Sequence, residues 1–176
     1  MAKKITWLGM LATVLAFGMA VVACDDGTDG DGGIDPALNG TWVTVMNFGE
    51  GFQLGIELRL NNGSWEQSYT TSINYTGTVA RGTYTTNGDT YNSITTHMYG
   101  NYVVATFQYS QAGSGWLTME QFSSALERHY RHIYPSLSEE EIDTRVNSQR
   151  NPSSTTTYSA QGNTLTFGTT IYTRRQ

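Results

Sequence analysis

Four groups of side chains in this chain of 176 residues have types and spacings that chemistry could use. His129 and His132 stand three apart near Glu127 in a helical run. A zinc site needs its ligands on one face and a further ligand from elsewhere. His129 lies beside an apolar stripe and His132 points away from it, so the pair reads as solvated or partly packed. Glu57 and Glu66 fall on neighbouring strands, where two facing carboxylates could cleave a glycoside. Strand alternation puts Glu57 on the wet face, against that use. Gly113-Ser114-Gly115 lacks the full Gly-x-Ser-x-Gly elbow of a serine hydrolase and reads as a loop before Trp116. Asp29, Asp31 and Asp35 look like the start of a calcium loop. Counted from Asp25, Gly30 takes the sixth place, but Pro36 takes the twelfth, where a Glu is needed. No catalytic residue, metal or cofactor is assigned, and the chain reads as a non-enzyme.

Composition sets the frame for these residues. Charged residues make up 14% and aromatics 12%, which is not the charge-rich, aromatic-poor profile of a disordered chain. Between Pro36 and Gln176 there are 23 Thr, against 3 Pro in the whole chain, a bias toward pleated, half-buried surfaces. The formal charge of -5 argues against nucleic acid, which calls for a basic footprint.

The beginning of the chain reads as an address. Lys3 and Lys4 precede an uncharged run from Ile5 to Val22, which ends in Val21-Val22-Ala23-Cys24. That order resembles the leader and lipobox of a bacterial lipoprotein precursor, with Val21 standing where Leu is commoner. The resemblance implies that Cys24 carries acyl chains, that residues 1–23 are removed as a signal peptide, and that the partner of this end is a lipid bilayer. It also implies a bacterial cell envelope location, on the periplasmic face or the outer surface. Cys24 is the sole cysteine, so no intrachain disulfide can form. Residues 24–36 follow as a small, acidic tether with too little apolar surface to order itself. Without the leader the chain has 8 Arg and 15 acids, a charge of -7, and no lysine. Polybasic attraction to a membrane is therefore not expected.

The remainder, 37–176, reads as one mainly β domain. Phe52 to Leu60 alternates strictly, with Phe52, Leu54, Ile56, Leu58 and Leu60 on one face. Tyr102 to Tyr109 alternates more loosely through Val103, Ala105, Phe107 and Tyr109, and Asn163 to Thr173 through Leu165, Phe167 and Ile171. Asn62-Gly63, Asn87-Gly88 and Gly162-Asn163 mark hairpins between such runs. The pattern predicts about eight antiparallel strands, at 41–48, 52–60, 64–74, 77–86, 90–98, 101–110, 155–161 and 163–174. Thr118 to Gln149 breaks the pattern. Thr118 with Gln121 and Ser138 with Glu141 form two capping boxes, and Met119, Phe122, Leu126, Tyr130 and Ile133 make one helical stripe. The second helix offers only Ile142 and Val146, too little to dock tightly. A helical hairpin at about 118–150 therefore interrupts the sheet.

Gly40-Thr41-Trp42 opens the first strand, and arginines close the last. This arrangement resembles the lipocalin and calycin family, and most closely small lipocalin-like bacterial lipoproteins. The resemblance implies an antiparallel up-and-down β-barrel, with Trp42 at its floor and an Arg from the last strand stacked across it. Parity with Leu165, Phe167 and Ile171 selects Arg175 over Arg174. The chain departs from the family in its helical hairpin and in lacking the family's middle motif. A barrel of this kind implies a small, largely apolar ligand, with Phe107 and Tyr109 among the lining residues. The helical hairpin can dock at the mouth as a lid, with Phe122, Leu126 and Tyr130 lining the pocket, or on the outer wall as a brace or an arm for a partner protein. The lid is favoured because an already closed barrel has no need of a brace. The alternative is a protein-interaction module, an inhibitor or adhesin, that presents its helical hairpin and loops, with its protein partner unknown. A cavity in the barrel favours the first reading, and a barrel filled by its own side chains favours the second.

Cys24→Ser should release the protein from detergent-rich fractions. Continued partition with membranes after an alkaline wash would identify Ile5 to Val22 as a true anchor instead.

Overall fold

The computed structural model describes residues 33–49, 52–71, 76–100, 115–150 and 153–176. The strands are β1 (Gly40–Asn47), β2 (Gln53–Asn61), β3 (Ser64–Thr71), β4 (Thr76–Asn87), β5 (Thr90–Tyr99), β6 (Trp116–Thr118), β7 (Ser153–Gln161), β8 (Thr164–Phe167) and β9 (Thr170–Arg174). Two helices, α1 (Met119–Ile133) and α2 (Glu139–Gln149), lie between β6 and β7. A single 3-10 turn, Pro36–Leu38, precedes β1.

The strands form one antiparallel sheet in the order β4-β3-β2-β1-β9-β8-β7-β5-β6, and β4 also pairs with β5. That last pairing closes an eight-stranded barrel and leaves β6 as an extra strand. Both β6 and β7 lie on the same edge of β5. Trp116 to Thr118 face Tyr99 to His97, and Ser153 to Thr157 face Ile94 to Thr90. One lane of the wall is thus made of two pieces, and the helical hairpin leaves it opposite Thr95 and Thr96.

The tight turns of β2–β3, β4–β5 and β7–β8 gather at one end with the start of β1, here called the floor. The other end, the mouth, holds the turn of β1–β2 and the end of β5, whereas the short β8–β9 hairpin turns partway up the wall, where the Gly168 N–H donates to the Thr157 carbonyl at 2.9 Å. Asn62 and Gly63 both take positive φ, 44° and 82°, as a type I′ hairpin requires.

Alternation decides which residues fill the barrel. Leu54, Ile56, Leu58 and Leu60 of β2 are buried, and so are Trp65 and Tyr69 of β3. Residues paired across antiparallel strands share a face. The pairings run from Trp42 through Leu58, Gln67, Ala80 and Met98 to Leu117. They climb from floor to mouth, which is the stagger that closure imposes.

Three expectations change here. The run 163–174 is two strands joined by a turn at Gly168 (φ 54°), because the chain reverses where a single strand was expected. Both apolar residues of α2 are buried, Ile142 at 2% exposure and Val146 at 6%. Its apolar face is thin. Arg131 pairs with Glu127 at 2.9 Å and also with Glu139 across the turn, and Arg145 lies 5.8 Å from the Tyr134 ring. Ile142 and Val146 both enter the core that holds Phe122 and Leu126, and the exposed polar contacts add little to that burial. The short β6 lies between the stretch read as a loop before Trp116 and the first helix, where no strand was expected. The expected strand 101–110 lies outside the described residues. Thr118 and Ser138 do form reciprocal capping boxes, with their side chains accepting from the backbone N–H of Gln121 and Glu141.

Gly82 is the tightest point of the wall. A Cβ there would lie 1.9 Å from the Ile94 carbonyl oxygen and 2.7 Å from Trp65 Nε1. It sits at a register shift between β4 and β5. Gly82→Ala should therefore lower stability by at least about 1–3 kcal/mol through overpacking. Urea unfolding checks this, and an unchanged midpoint would show that the wall yields there.

Candidate functional site

At the floor, the Trp42 side chain is fully buried and its Nε1 donates to the Leu38 carbonyl at 2.7 Å. The Arg174 guanidinium carbon lies 4.4 Å from the Trp42 ring centroid, a cation–π distance. Arg174 Nη2 donates to the Ala37 carbonyl at 2.9 Å. Gly40, with φ of 145°, starts the strand beneath that guanidinium.

The arginine over the ring is Arg174, not the Arg175 that parity selected. The two-residue turn between β8 and β9 is the reason. Phe167 pairs with Thr170 and Leu165 with Tyr172, so the inward face passes from odd to even numbers across the hairpin. Tyr172 is buried and Ile171 is 62% exposed. Arg175 points to the outer wall, where it pairs with Glu57. Glu57 also pairs with Arg59 at 2.7 Å, and Arg59 lies 3.7 Å from Glu66. Those two carboxylates are divided by a cation on the outside of the barrel, not poised across a sugar.

The segment before β1 is pinned to the floor. Asp35 accepts from Tyr158 Oη at 2.9 Å and from the Ala37 backbone at 2.8 Å, and its own N–H donates to Thr86 Oγ1 at 3.0 Å. Thr86 in turn donates its N–H to the Gly33 carbonyl at 2.7 Å. Asp35 is thus a structural cap. Asp29 and Asp31 lie outside the described residues.

Above the floor the interior is aromatic. Tyr84 stacks on Tyr91 at 5.1 Å, Tyr91 meets Phe167 at 4.7 Å, and Phe167 meets Tyr172 at 6.0 Å. Sequence alone left Tyr69, Tyr84, Tyr91 and Tyr99 without a face. The first three are buried, and Tyr99 is half-buried with its ring against Trp116 at 5.3 Å. Tyr75 and Tyr102 lie outside the described residues. A layer of hydroxyls accompanies the rings. Tyr84 faces Ser93 across the β4–β5 ladder, and Ser93 Oγ lies 3.3 Å from Ser154 Oγ. Tyr84 Oη is buried with no hydrogen-bond partner among the described residues. Burial pushes all three phenols upward, Tyr172 to about 12, with Tyr91 raised further by its neighbours Tyr84 and Tyr172.

The helical hairpin brings Phe122 and Leu126 into the same core as Met98 and the barrel interior. Both are buried, so neither faces an open pocket. Tyr130 is half-buried, 6.0 Å from the Arg145 guanidinium. His129 is buried and held below the usual imidazole value by burial and then by His132, whereas His132 is exposed. Among the described residues no group of three or more His, Cys, Asp and Glu could hold a metal ion. An open groove of about 340 Å³ runs between β6 and α1, lined by Leu117, Glu120, Gln121, Ser124, Ala125 and Arg128. Cys24, Phe107 and Tyr109 lie outside the described residues. Sequence reasoning missed Arg81, which lies 4.2 Å from the Trp116 ring on the outer wall, because a register shift at that point hides the pairing.

Comparison with protein-family models, curated proteins and solved structures gave no match for this chain.

Trp42→Ala should cost about 3–5 kcal/mol, as removal of a fully buried ring does. Arg174→Ala should cost more than Arg175→Ala, whose surface ion pair contributes at most about 1 kcal/mol. Equal losses in chemical denaturation would contradict the stacking at the floor. Alkaline titration tests the interior. The buried phenols favour the neutral form, so their contribution is complete below the ordinary value of 10.0 and is lost as pH rises through about 12. Tyrosinate absorbance should therefore appear late, together with unfolding. Early, reversible ionisation of all tyrosines in the native fold would disprove the burial.

Proposed function

We propose that this chain is a membrane-anchored lipoprotein whose lipocalin-like barrel is a scaffold and whose helical hairpin is the interaction surface. The lipobox-like run ending at Cys24 supports the anchor. Trp42 beneath Arg174, after a strand-initial Gly40, supports the lipocalin-like reading. The hairpin tip is the observation that carries the interaction role. Ile133 is 48% exposed and Tyr134 42% exposed at the end of α1, with Arg145 beside the Tyr134 ring. Exposed aromatic, aliphatic and Arg side chains on a rigid support are the composition of an interface hot spot. At that tip the Ser138 capping box and the Arg131–Glu139 ion pair join the end of α1 to the start of α2, which favours one shape before any partner arrives. The covered state of the inward residues on β2 and β3 argues in the same direction, because their own packing fills that side of the barrel.

A second reading, a barrel that binds a small, largely apolar molecule, rests on one observation. The Tyr84 hydroxyl is buried with the Gly63 backbone beside it but no hydrogen bond of good geometry among the described residues, and a ligand atom could satisfy it.

The variant Ile133→Asp/Tyr134→Ala separates the two readings. It removes the Arg145–Tyr134 contact, so thermal stability should fall by no more than the about 0.5–1 kcal/mol of an exposed cation–π pair, with the barrel still folded by circular dichroism. Envelope partners crosslinked to the native protein should be lost from the variant, and native mass spectrometry of the delipidated domain should show no retained small molecule. A retained molecule, together with crosslinks that the variant leaves intact, would overturn the interaction reading in favour of the second.

A further inference from the structure

We infer that the floor of the barrel faces the lipid bilayer and that the mouth and helical hairpin face away from it. This rests on the lipid anchor at Cys24 proposed above. The part the structure supplies is where the chain leaves the fold. Gly33 bridges Thr86 beside the β4–β5 turn, and Asp35 is held by Thr86 and Tyr158. Asn39 and Asn62 bond each other through side chain and backbone, at 2.9 and 2.8 Å. The segment that leads to Cys24 is thus fixed to the floor.

Length then limits orientation. Eight residues, Asp25 to Gly32, separate Cys24 from Gly33. At most about 3.3–3.6 Å per residue, the chain from Cys24 to Gly33 spans roughly 30 Å. The β5 strand runs ten residues from floor to mouth. At about 3.3 Å per residue and a tilt of roughly 40°, that wall is about 23 Å tall. To put the mouth on the bilayer, the segment would have to run almost straight along the whole wall. To put the floor there, it needs no extension. Ile34, 44% exposed at the floor, then lies on the side toward the lipid.

The hairpin consequently meets what comes from the aqueous side or from an opposing surface, not from its own bilayer. Its helices leave the wall opposite Thr95 and Thr96, and α1 packs on β5 and β6, away from the floor turns.

The absence of other cysteines gives the test. In the full-length acylated protein, an introduced Cys is the single free thiol. Asn163→Cys lies at the floor turn of β7–β8, Asn47→Cys at the exposed mouth end of β1, and Ser136→Cys at the hairpin tip. Each labelled protein is reconstituted in phosphatidylglycerol–phosphatidylethanolamine vesicles with a headgroup-linked energy acceptor. Transfer from the Asn163 label should be at least about twofold higher than from the other two, given the height of the wall. Equal or reversed transfer in protein that floats with the vesicles overturns the orientation and leaves the anchor standing. Native protein that fails to float, or Cys24→Ser that floats equally well, overturns the anchor and the orientation with it. A long Gly-Ser insertion after Gly32 should abolish the difference between labels.

Discussion

The barrel depends on a seam two residue pairs long. In the ladder β1 meets β9 through Trp42 opposite Arg174 and Val43 opposite Thr173, and the Arg175 N–H just beyond donates to the Thr41 carbonyl at 2.8 Å. Two ladder pairs are a weak closure by themselves. Their strength comes from the side chains at the joint, where a buried indole is bonded to the Leu38 carbonyl and roofed by a guanidinium that also holds Ala37. Desolvation around the indole makes each of those contacts worth more than it would be at the surface. Were the seam open, β1 and β9 would both be exposed edges, a standing invitation to pair with another chain.

The same joint ties the segment from Gly33 to Asn39 to the barrel. Leu38 is buried under the barrel and supplies the acceptor for Trp42, so the strand and the lead-in segment stabilise each other. Asp35 extends this tie to Tyr158 on β7 and Thr86 on β4. One short stretch of chain therefore links three parts of the wall and fixes the end from which any anchor would extend.

The split lane beside β5 is the second organising feature. A barrel of eight strands could be closed by a continuous strand there, but β6 ends at Thr118 and the chain resumes at Ser153. The interruption leaves wall geometry intact on both sides while projecting two helices from the mouth half. Those helices are held by Phe122, Leu126, Ile142 and Val146 in the common core, with polar contacts at their ends and surfaces: reciprocal caps, Arg131 between Glu127 and Glu139, and Arg145 near Tyr130 and Tyr134. A rigid projection with an exposed Ile133 and Tyr134 at its tip is what an interaction surface requires.

Local pattern determined the strands, the hairpin turns and the helical caps, because each is written in a few adjacent residues. The alternation of Leu54, Ile56, Leu58 and Leu60, the Asn62-Gly63 turn, and Thr118 with Gln121 all appear in the fold in the roles their spacing requires. The two ends of the floor, Gly40-Thr41-Trp42 and a terminal arginine, were also legible. The choice between Arg174 and Arg175 was not, because it turns on the reversal at Gly168, which changes the parity of every residue after it. Burial of Ile142 and Val146 was missed because the contacts that dock α2 come from α1, fifteen residues long and earlier in the chain. The faces of Tyr69, Tyr84 and Tyr91 likewise waited on register. A Thr-rich strand has no apolar stripe to mark its inner face, so only pairing with neighbouring strands decides which side looks into the barrel.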